Sequence, residues 1–225
     1  MLLVTSQQTG SSPVELWDRV ARFYDLQRFL EQPALRAALA LAGPRSDDRV
    51  LDVGTGTGAL LRELARSGLS PAEVVGVDAS TRMLEHARSA GLPGEWRLQL
   101  ADARRLPFPD ECFSLVFTAY LLNVLSDEDG KAALREARRV LVPGGRLVVV
   151  TPVAPVSALA RPYRWLWEVA PRRLPRWYAG IRLLDPEPLI RAVGLQPEAR
   201  RYVGLGYPSV CLLAVRNDAR ARASS

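Results

Sequence analysis

The chain has 225 residues, of which 48% are hydrophobic and 24% are charged. This composition is that of a globular protein rather than a disordered or fibrous one, and the length suits a single domain with one substantial core. The net charge is +6, and much of this excess lies between residues 161 and 182, where six arginines stand against one acid, Glu168.

No segment has the pattern of a membrane span or a secretion signal. The longest strongly apolar stretch, Leu115 to Leu125, is interrupted by polar residues and is much shorter than the ~18 to 20 residues that a membrane-spanning helix requires. The opening segment has no cationic start and no small-residue cleavage site, so we expect a frayed terminus there. Cys112 and Cys211 are too far apart in sequence for a metal or redox motif. We therefore expect two reduced thiols in a cytoplasmic protein.

Apolar residues recur at helical spacing from Val14 to Leu41, which predicts an N-terminal helical prelude with a break between two helices at Pro33. Strand and helix patterns then alternate. The predicted strands are Arg49 to Val53, Glu73 to Val77, Trp96 to Leu100, Phe113 to Ala119 and Arg146 to Val150. The predicted helices are Ala59 to Ser67, Thr81 to Ala90 with Ser80 as N-cap, and Asp127 to Leu141. This alternation predicts an α/β fold of parallel βαβ units with helices on both faces of the sheet.

The alternation stops after Val150, because five prolines between residues 152 and 175 interrupt any long helix. A short helix at Glu187 to Val193 and two strands, Gln196 to Tyr202 and Ser209 to Arg216, are predicted to follow. We predict a single domain over residues 1–225. Its parts are a helical cap at 1–45, a cofactor-binding half at 46–151, an insertion or lid at 152–183, and a C-terminal helix with two strands at 184–216.

The segment VLDVGTGTG joins the first predicted strand to its helix, and its glycines at 54, 56 and 58 allow a sharp turn and close approach to a ligand. A dinucleotide-binding loop has its third glycine three positions after the second, where this chain has Ala59. Asp52, just before the loop, would repel a phosphate and attract an ammonium group. The loop therefore favours a ligand such as S-adenosylmethionine, which carries an ammonium group, over a nicotinamide dinucleotide.

Acidic residues stand at the ends of three successive predicted strands: Asp52, Asp78 and Asp102. Asp78 lies twenty positions beyond Gly58, where an acid can accept hydrogen bonds from the ribose hydroxyls of an adenosine. The Asp102 carboxylate and the backbone N–H of Ala103 could bind the adenine edge. Because ligands of open α/β sheets bind at the carboxyl ends of the strands, we expect the three acids to converge on one crevice.

Five segments match a known family: ARFYDL at 21–26, VLDVGTGTG at 50–58, VVGVDASTRMLEHAR at 74–88, ADARRLPFPDECFSLVFTAYLLNVL at 101–125 and LREARRVLVPGGRLVVV at 134–150. Through them the chain resembles, from Trp17 to Arg216, the class I S-adenosylmethionine-dependent methyltransferases. Within that family it is similar to the branch that contains the ubiquinone and menaquinone C-methyltransferases (methyltransferase type 11). The resemblance implies a Rossmann-like seven-stranded sheet of order 3-2-1-4-5-7-6, with strand 7 antiparallel.

The resemblance also implies S-adenosyl-L-methionine as the cofactor and methyl transfer to the O, N or C nucleophile of a small-molecule or lipidic acceptor. The segment after Val150 matches no pattern of the quinone enzymes, so the acceptor stays open. The implied cofactor contacts are Asp52, Gly54, Thr55, Gly56, Asp78, Ala79, Met83, Asp102, Ala103 and Ala119.

Methyl transfer from a sulfonium needs no metal, because the leaving thioether is already activated, and the protein supplies in-line positioning in a dry pocket. A phenol or carbon acid would also need a base. Three candidate catalytic residues are Tyr24 and Asp25, which resemble the family's amino-terminal Tyr-Asp pair, and Asn123 beyond the fourth strand. Tyr24 and Asp25 could instead only cover the cofactor.

The predicted insertion interleaves its arginines with aromatic residues: Tyr163, Trp165, Trp167, Trp177 and Tyr178. Four interpretations are open for residues 161–182. They are peripheral contact with an anionic membrane, an arginine clamp for an anionic small molecule, packing as a lid, and a nucleic-acid surface. The last is disfavoured because no RNA-binding module is recognisable. The oligomeric state is not indicated by the sequence.

Two alternative functions stay open beside methyl transfer. The first is a nicotinamide-dependent oxidoreductase, which Asp52 and the glycine spacing disfavour. The second is a protein that binds S-adenosylmethionine without catalysis, because the sequence reveals binding residues more clearly than an acceptor site.

Overall fold

The computed structural model describes residues 24–154 and 182–217. Its seven strands form one sheet and are β1 (Arg49–Val53), β2 (Glu73–Asp78), β3 (Arg97–Leu100), β4 (Phe113–Ala119), β5 (Leu141–Pro152), β6 (Gln196–Val203) and β7 (Ser209–Val215). The helices in these two ranges are α1 (Tyr24–Ala42), α2 (Ala59–Arg66), α3 (Thr81–Arg88), α4 (Asp127–Val140) and α5 (Glu187–Ala192).

The strand order is β3-β2-β1-β4-β5-β7-β6. β1 pairs in parallel with both β2 and β4, and β4 pairs in parallel with β5. β7 runs antiparallel to its neighbours β5 and β6, so the predicted topology is confirmed. The order reverses between β1 and β4, and ligand crevices in such sheets form at the carboxyl ends of the strands at this reversal.

The predicted helix break at Pro33 is wrong, because α1 continues through this proline from Tyr24 to Ala42. A proline inside a helix removes one backbone hydrogen bond and crowds the preceding turn, which costs ~3 kcal/mol. Burial of Ala34, Leu35 and Ala38 against the sheet offsets this cost immediately after the proline.

β5 begins at Leu141, five residues before the predicted start at Arg146. Leu141 pairs with Phe113 and Arg146 pairs with Leu115, so the Pro143-Gly144-Gly145 turn bulges out between two paired positions of one strand. The Gly144 N–H donates to the Arg216 carbonyl, and the Arg216 N–H donates to the Gly145 carbonyl. Because Arg216, directly after β7, satisfies these groups, the turn is held against the sheet.

α1 lies across β5 and β7 and is fixed at both ends. At its C-terminal end, the Arg146 guanidinium donates to the carbonyls of Ala42 and Gly43 and to the buried Asp48 carboxylate. Near its N-terminal end, the Leu30 carbonyl accepts a hydrogen bond from the Tyr207 N–H, just before β7. The N-terminal part of α1 therefore lies at the edge of the sheet where β1, β2, β4 and β5 end.

Within the described ranges, no helix combines the length and apolarity needed to cross a bilayer. Cys112 and Cys211 are both buried and free. The Cys211 thiol lies beneath α1, where it donates to the Ala34 carbonyl.

Candidate functional site

A cavity of about 450 Å³ lies at the carboxyl ends of β1, β2 and β4. Its volume is typical of small-molecule and cofactor sites. Eight of the residues predicted to bind the cofactor line it: Gly54, Gly56, Asp78, Ala79, Met83, Asp102, Ala103 and Ala119. The structure therefore brings together residues from four separate segments of the chain.

The glycine loop between β1 and α2 is held mainly by its own strand neighbours. Gly54, Gly56 and Gly58 all have positive φ angles, which explains why glycine is needed at these turns. A Cβ at Gly54 would lie 3.1 Å from the Leu121 side chain, so that glycine also keeps the cavity open.

Four backbone N–H groups of this loop have partners within the protein. The Gly54 and Thr55 N–H groups both donate to the Val77 carbonyl, and the Gly58 N–H donates to the Thr55 carbonyl. The Gly56 N–H donates to the Asp78 carboxylate over 2.8 Å. A pyrophosphate site requires N–H groups that point at the ligand, so this loop has the wrong arrangement for a dinucleotide phosphate.

Asp78 ends β2 and shapes two walls of the cavity. Its Oδ2 accepts from the Gly56 N–H and its Oδ1 accepts from the Ser80 N–H, each over 2.8 Å. Ser80 in turn caps α3, as predicted, by accepting from the Met83 N–H. Asp78 lines the cavity at the tip of β2, the position at which an acid can accept hydrogen bonds from ribose hydroxyls in nucleoside-binding sheets.

Asp52 lies behind the glycine loop rather than in the cavity wall, and its residue is only 1% exposed. Its Oδ2 accepts from the Thr55 hydroxyl over 2.7 Å, while Oδ1 is buried without a hydrogen-bond partner among the described residues. Burial raises the pKa of Asp52 to about 7, against the hydrogen bond from Thr55. Opposite Asp52 on β2, Gly76 makes room for this pair, since a Cβ there would lie 3.0 Å from the Thr55 hydroxyl.

Asp102 lines the cavity, but its carboxylate is already paired with the guanidinium of Arg104. The Arg104 guanidinium donates to both Asp102 oxygens and to the carboxylate of Asp129. Asp129 lies in the first turn of α4 and also lines the cavity. These hydrogen bonds lower the pKa of Asp102. Sequence reasoning did not find Arg104, because only the fold of the loop after β3 brings it between the two acids.

The loop that carries Asp102 is anchored to α4 by one arginine. The Arg139 guanidinium donates to the carbonyls of Leu106 and Phe108 and to the Glu136 carboxylate, over 2.7 to 3.1 Å. Glu136 also accepts from the Leu106 N–H. Arg139 and Glu136 therefore hold the loop at the position that defines one side of the cavity.

Replacing Arg139 with methionine should lower the free energy of unfolding by about 2 to 3 kcal/mol, because several hydrogen bonds to the loop are lost. Urea denaturation measures this change. The matched control is Arg135→Met on the exposed face of the same helix, which should change stability by less than about 0.5 kcal/mol. Equal effects of the two substitutions would contradict the assigned anchoring role.

Tyr120 was not singled out by sequence reasoning, although it directly follows the tip of β4 and lines the cavity beside Ala119. Its φ of 57° lies in the left-handed region, which is costly for a bulky residue and is found most often at functional sites. Its position next to a strand tip was a usable signal. Its backbone conformation was not visible in the sequence.

Of the three predicted catalytic residues, only Asn123 has a described side chain, and it is not among the residues that line the cavity. Asn123 is buried, and its backbone carbonyl accepts from the Arg182 N–H. Tyr24 and Asp25 begin α1, but their side chains lie outside the described residues. The arginine and aromatic residues predicted as a lid lie outside them as well, except Arg182, which also binds the carbonyls of Leu122 and Leu125.

Comparisons with known proteins agree with the fold. Residues 50–145 match the methyltransferase domain family. The demethylmenaquinone methyltransferase of Tropheryma whipplei (strain Twist) is 40% identical over 167 residues, which cover 70% of this chain and 66% of that protein. The ubiquinone/menaquinone biosynthesis C-methyltransferase of Pseudomonas paraeruginosa is 36% identical over 165 residues, covering 69% of this chain and 64% of that protein.

The chain thus spans slightly less than two thirds of the length of these curated relatives. The fold is also similar to a chain from the complex between the Haloferax volcanii Trm112 methyltransferase activator and a methyltransferase. That match has a TM-score of 0.71 at 19% identity and covers 91% of this chain and 97% of that one. Together with the strand order and the site at the strand tips, the matches identify the chain as a member of the class I S-adenosylmethionine-dependent methyltransferases.

Proposed function

We propose that this protein transfers a methyl group from S-adenosylmethionine to a small-molecule or lipidic acceptor. The observation that carries the proposal is the glycine loop, whose N–H groups at Gly54, Thr55 and Gly56 are committed to Val77 and Asp78. The loop is bordered by carboxylates and presents no phosphate cradle. Such a site suits a cationic nucleoside and repels a dinucleotide.

The residues present fit this cofactor. Asp78 would accept the two ribose hydroxyls, while Gly54, Ala79, Met83 and Ala119 would provide the surrounding wall. The Oδ1 of Asp52 has no hydrogen-bond partner among the described residues, which supports an ammonium group of the ligand near the loop. The Thr55 hydroxyl orients that carboxylate. Bound S-adenosylmethionine would supply a methyl group on an activated sulfonium, so no metal is needed for the displacement.

Adenine binding by Asp102 and Ala103 is a finer part of the proposal. Arg104 holds the Asp102 carboxylate through several contacts, so an adenine amino group would share the carboxylate with Arg104 or displace it. The pair is about half exposed, and exposed ion pairs contribute little stability. A rearrangement of Arg104 would therefore cost little.

The acceptor and the cellular setting also belong to the proposal. The names of the relatives favour a quinone precursor, and the arginine- and aromatic-rich segment at 161–182 would suit peripheral contact with an anionic membrane. A cytoplasmic location is supported by the two free cysteines. We retain the single-domain organisation over residues 1–225, with a role for Tyr24, Asp25 and Asn123 on the acceptor side.

Calorimetric titration of the full chain with S-adenosylhomocysteine and, separately, with NADH tests the proposal. We expect heat of binding only with S-adenosylhomocysteine. Turnover of a labelled methyl group against quinols, phenols and amines then identifies the acceptor. Binding of NADH alone would overturn the proposal in favour of an oxidoreductase, while binding of S-adenosylhomocysteine with no methyl transfer to any acceptor would favour a non-catalytic binding protein.

The affinity for S-adenosylhomocysteine should rise between about pH 5.5 and 7.5, because Asp52 ionises near 7 and only its charged form attracts an ammonium group. Asp52→Asn should abolish this pH dependence. Isothermal calorimetry at the two pH values measures it, with exposed Glu128→Gln as the control. A parallel pH dependence in wild type and Asp52→Asn would assign the effect to another group.

A further inference from the structure

Most of the large hydrophobic side chains that are exposed in the described ranges lie at one place on the surface. Six such side chains are found there, and four of them form what we call the apolar patch: Phe29, Leu30, Tyr202 and Leu205. Phe29 and Leu205 are each 76% exposed. Single exposed hydrophobic residues are normal on a protein surface, but a cluster of them marks a site of interaction.

The patch joins the N-terminal part of α1 to the turn between β6 and β7. The Leu30 carbonyl accepts from the Tyr207 N–H over 2.8 Å. The turn packs so closely on the helix that a Cβ at Gly206 would collide with the Leu30 carbonyl oxygen. Leu205 directly precedes this glycine, and Tyr202 lies in the last turn of chain before it, near the end of β6. The four side chains therefore belong to one continuous surface.

This surface lies at the same edge of the sheet as the cofactor cavity. Ser209 begins β7 directly after the turn and pairs with Pro152 at the end of β5. The Ser209 Oγ lies 2.8 Å from the hydroxyl oxygen of Tyr120 and is hydrogen-bonded to it. Because Tyr120 lines the cavity, one hydrogen bond links the start of β7 to the cavity wall.

The shape of the patch favours a lipid surface over a small ligand or a protein. Phe29 on the helix and Leu205 on the turn project into solvent, whereas small-molecule sites are concave. A stable protein interface involves about 20 to 30 residues on each side, and four apolar side chains are few for its core. A bilayer takes up projecting apolar side chains whatever their arrangement. The ring of Tyr202 suits the boundary between headgroups and acyl chains.

A cation lies on the α1 side of the sheet close to the patch. Arg201 is exposed and pairs in register with Cys211, so both side chains are on one face of the sheet. The Cys211 thiol donates to the Ala34 carbonyl of α1, which identifies that face. The Arg201 guanidinium is therefore placed to meet an anionic headgroup beside the apolar side chains.

The most basic part of the sequence also begins beside the patch. The Val153 N–H donates to the Pro208 carbonyl, so the chain passes the turn between β6 and β7 just before residue 155. Between residues 161 and 182, six arginines stand against one acid, in a chain of net charge +6. Positive charge next to apolar side chains complements an anionic bilayer.

We propose that the apolar patch docks this protein onto an anionic membrane surface, with Phe29 and Leu205 entering the boundary between headgroups and acyl chains. The inference goes beyond the proposed function, because docking depends neither on the cofactor nor on which acceptor is methylated. It assigns the contact to α1 and the turn between β6 and β7, and not to residues 161–182 alone. Docking in this way brings the edge of the sheet that holds the cavity to the lipid.

The first test measures flotation of the full chain with vesicles of phosphatidylcholine and phosphatidylglycerol in a ratio of about 7:3. The double variant Phe29→Gln, Leu205→Gln should bind about 10- to 100-fold more weakly than wild type, because two apolar side chains no longer leave water. The matched control is Leu100→Gln, which makes the same change at a side chain that is 55% exposed on β3 and should bind like wild type. Equal binding by wild type and the double variant would overturn the proposal, as would the absence of binding by wild type.

The second test places an environment-sensitive dye on the variant Leu205→Cys. The native thiols, Cys112 and Cys211, are buried, so the dye should react at position 205. We expect its emission to shift to the blue on addition of vesicles and to be quenched by lipids that carry a nitroxide, while the same dye on Leu100→Cys should not respond. An emission that is already blue-shifted without vesicles would mean that protein covers the patch, and would overturn the proposal.

Two further measurements separate the contributions and the alternatives. Arg201→Gln should weaken binding to the anionic vesicles a few-fold and leave binding to pure phosphatidylcholine unchanged. If wild type is a dimer without vesicles and the double variant is a monomer, the patch is an interface between two copies and the proposal is wrong. A chain that binds vesicles through the patch but does not bind S-adenosylhomocysteine would reject the proposed function and leave the docking surface intact.

Discussion

Replacing Asp78 with alanine should weaken S-adenosylhomocysteine binding by about 1.5 to 3 kcal/mol, or roughly 10- to 150-fold, the usual cost of losing hydrogen bonds to a charged group. We expect the upper part of this range. Asp78 also accepts from the N–H groups of Gly56 and Ser80, so its removal releases the glycine loop and the start of α3 together.

Asp78→Asn separates these contributions. The amide keeps the size of the side chain and one acceptor oxygen, so the loop should stay largely in place while the ribose loses its charged acceptor. Calorimetry on both variants and on the exposed control Asp127→Asn, which lies outside the cavity wall, measures the effects. Wild-type affinity in Asp78→Ala would place the ribose elsewhere.

Glu31→Gln should stabilise the protein by about 3 to 5 kcal/mol at pH 8 and by little near pH 4.5. The pKa of Glu31 is about 8 in the folded protein and 4.5 without burial, and each pKa unit corresponds to ~1.4 kcal/mol. The folded state therefore binds more protons than the unfolded state between these values, so its stability falls as pH rises through this window. Glutamine has no such ionisation.

Urea denaturation at several pH values between about 5 and 8.5 measures this effect. Carboxylates with lowered pKa, such as Asp48 and Glu63, are already ionised in both the folded and the unfolded protein over this pH range. They therefore do not hide the fall in stability that Glu31 causes. Burial also raises the pKa of Asp52 to about 7. The free energy of unfolding of Glu31→Gln should therefore still fall as pH rises, but by less than in wild type. Identical pH profiles for wild type and Glu31→Gln would mean that Glu31 is solvated or paired.

The sheet could be predicted well because its signals are local. The β4 boundaries agree with the prediction, and the other predicted strands except β5 agree to within one residue at each end. Two local signals failed for the same reason. Pro33 and the Pro143-Gly144-Gly145 turn usually end an element, but here distant partners, the sheet beneath α1 and Arg216 beside β5, keep the element continuous.

The site could be predicted in part. Asp78 and Gly54 were found because strand tips and glycine loops are recognisable in one dimension, and both line the cavity. The burial of Asp52 behind the loop could not be predicted, because the depth of a side chain depends on which strands flank it. Arg104 was missed for a similar reason, since a loop fold and not a spacing pairs it with Asp102 and Asp129.

The sequence by itself determined the fold class, the strand order implied by the family resemblance, and the carboxylates that mark a cationic nucleoside site. These depend on residue types at short spacings along the chain. Only the tertiary structure decided which polar groups are paired and which are buried: the N–H groups of the glycine loop pair with Val77 and Asp78, and Glu31 is buried on α1. The burial and charge state of one residue depend on neighbours that are distant in the chain, and a sequence pattern does not show which residues those neighbours are.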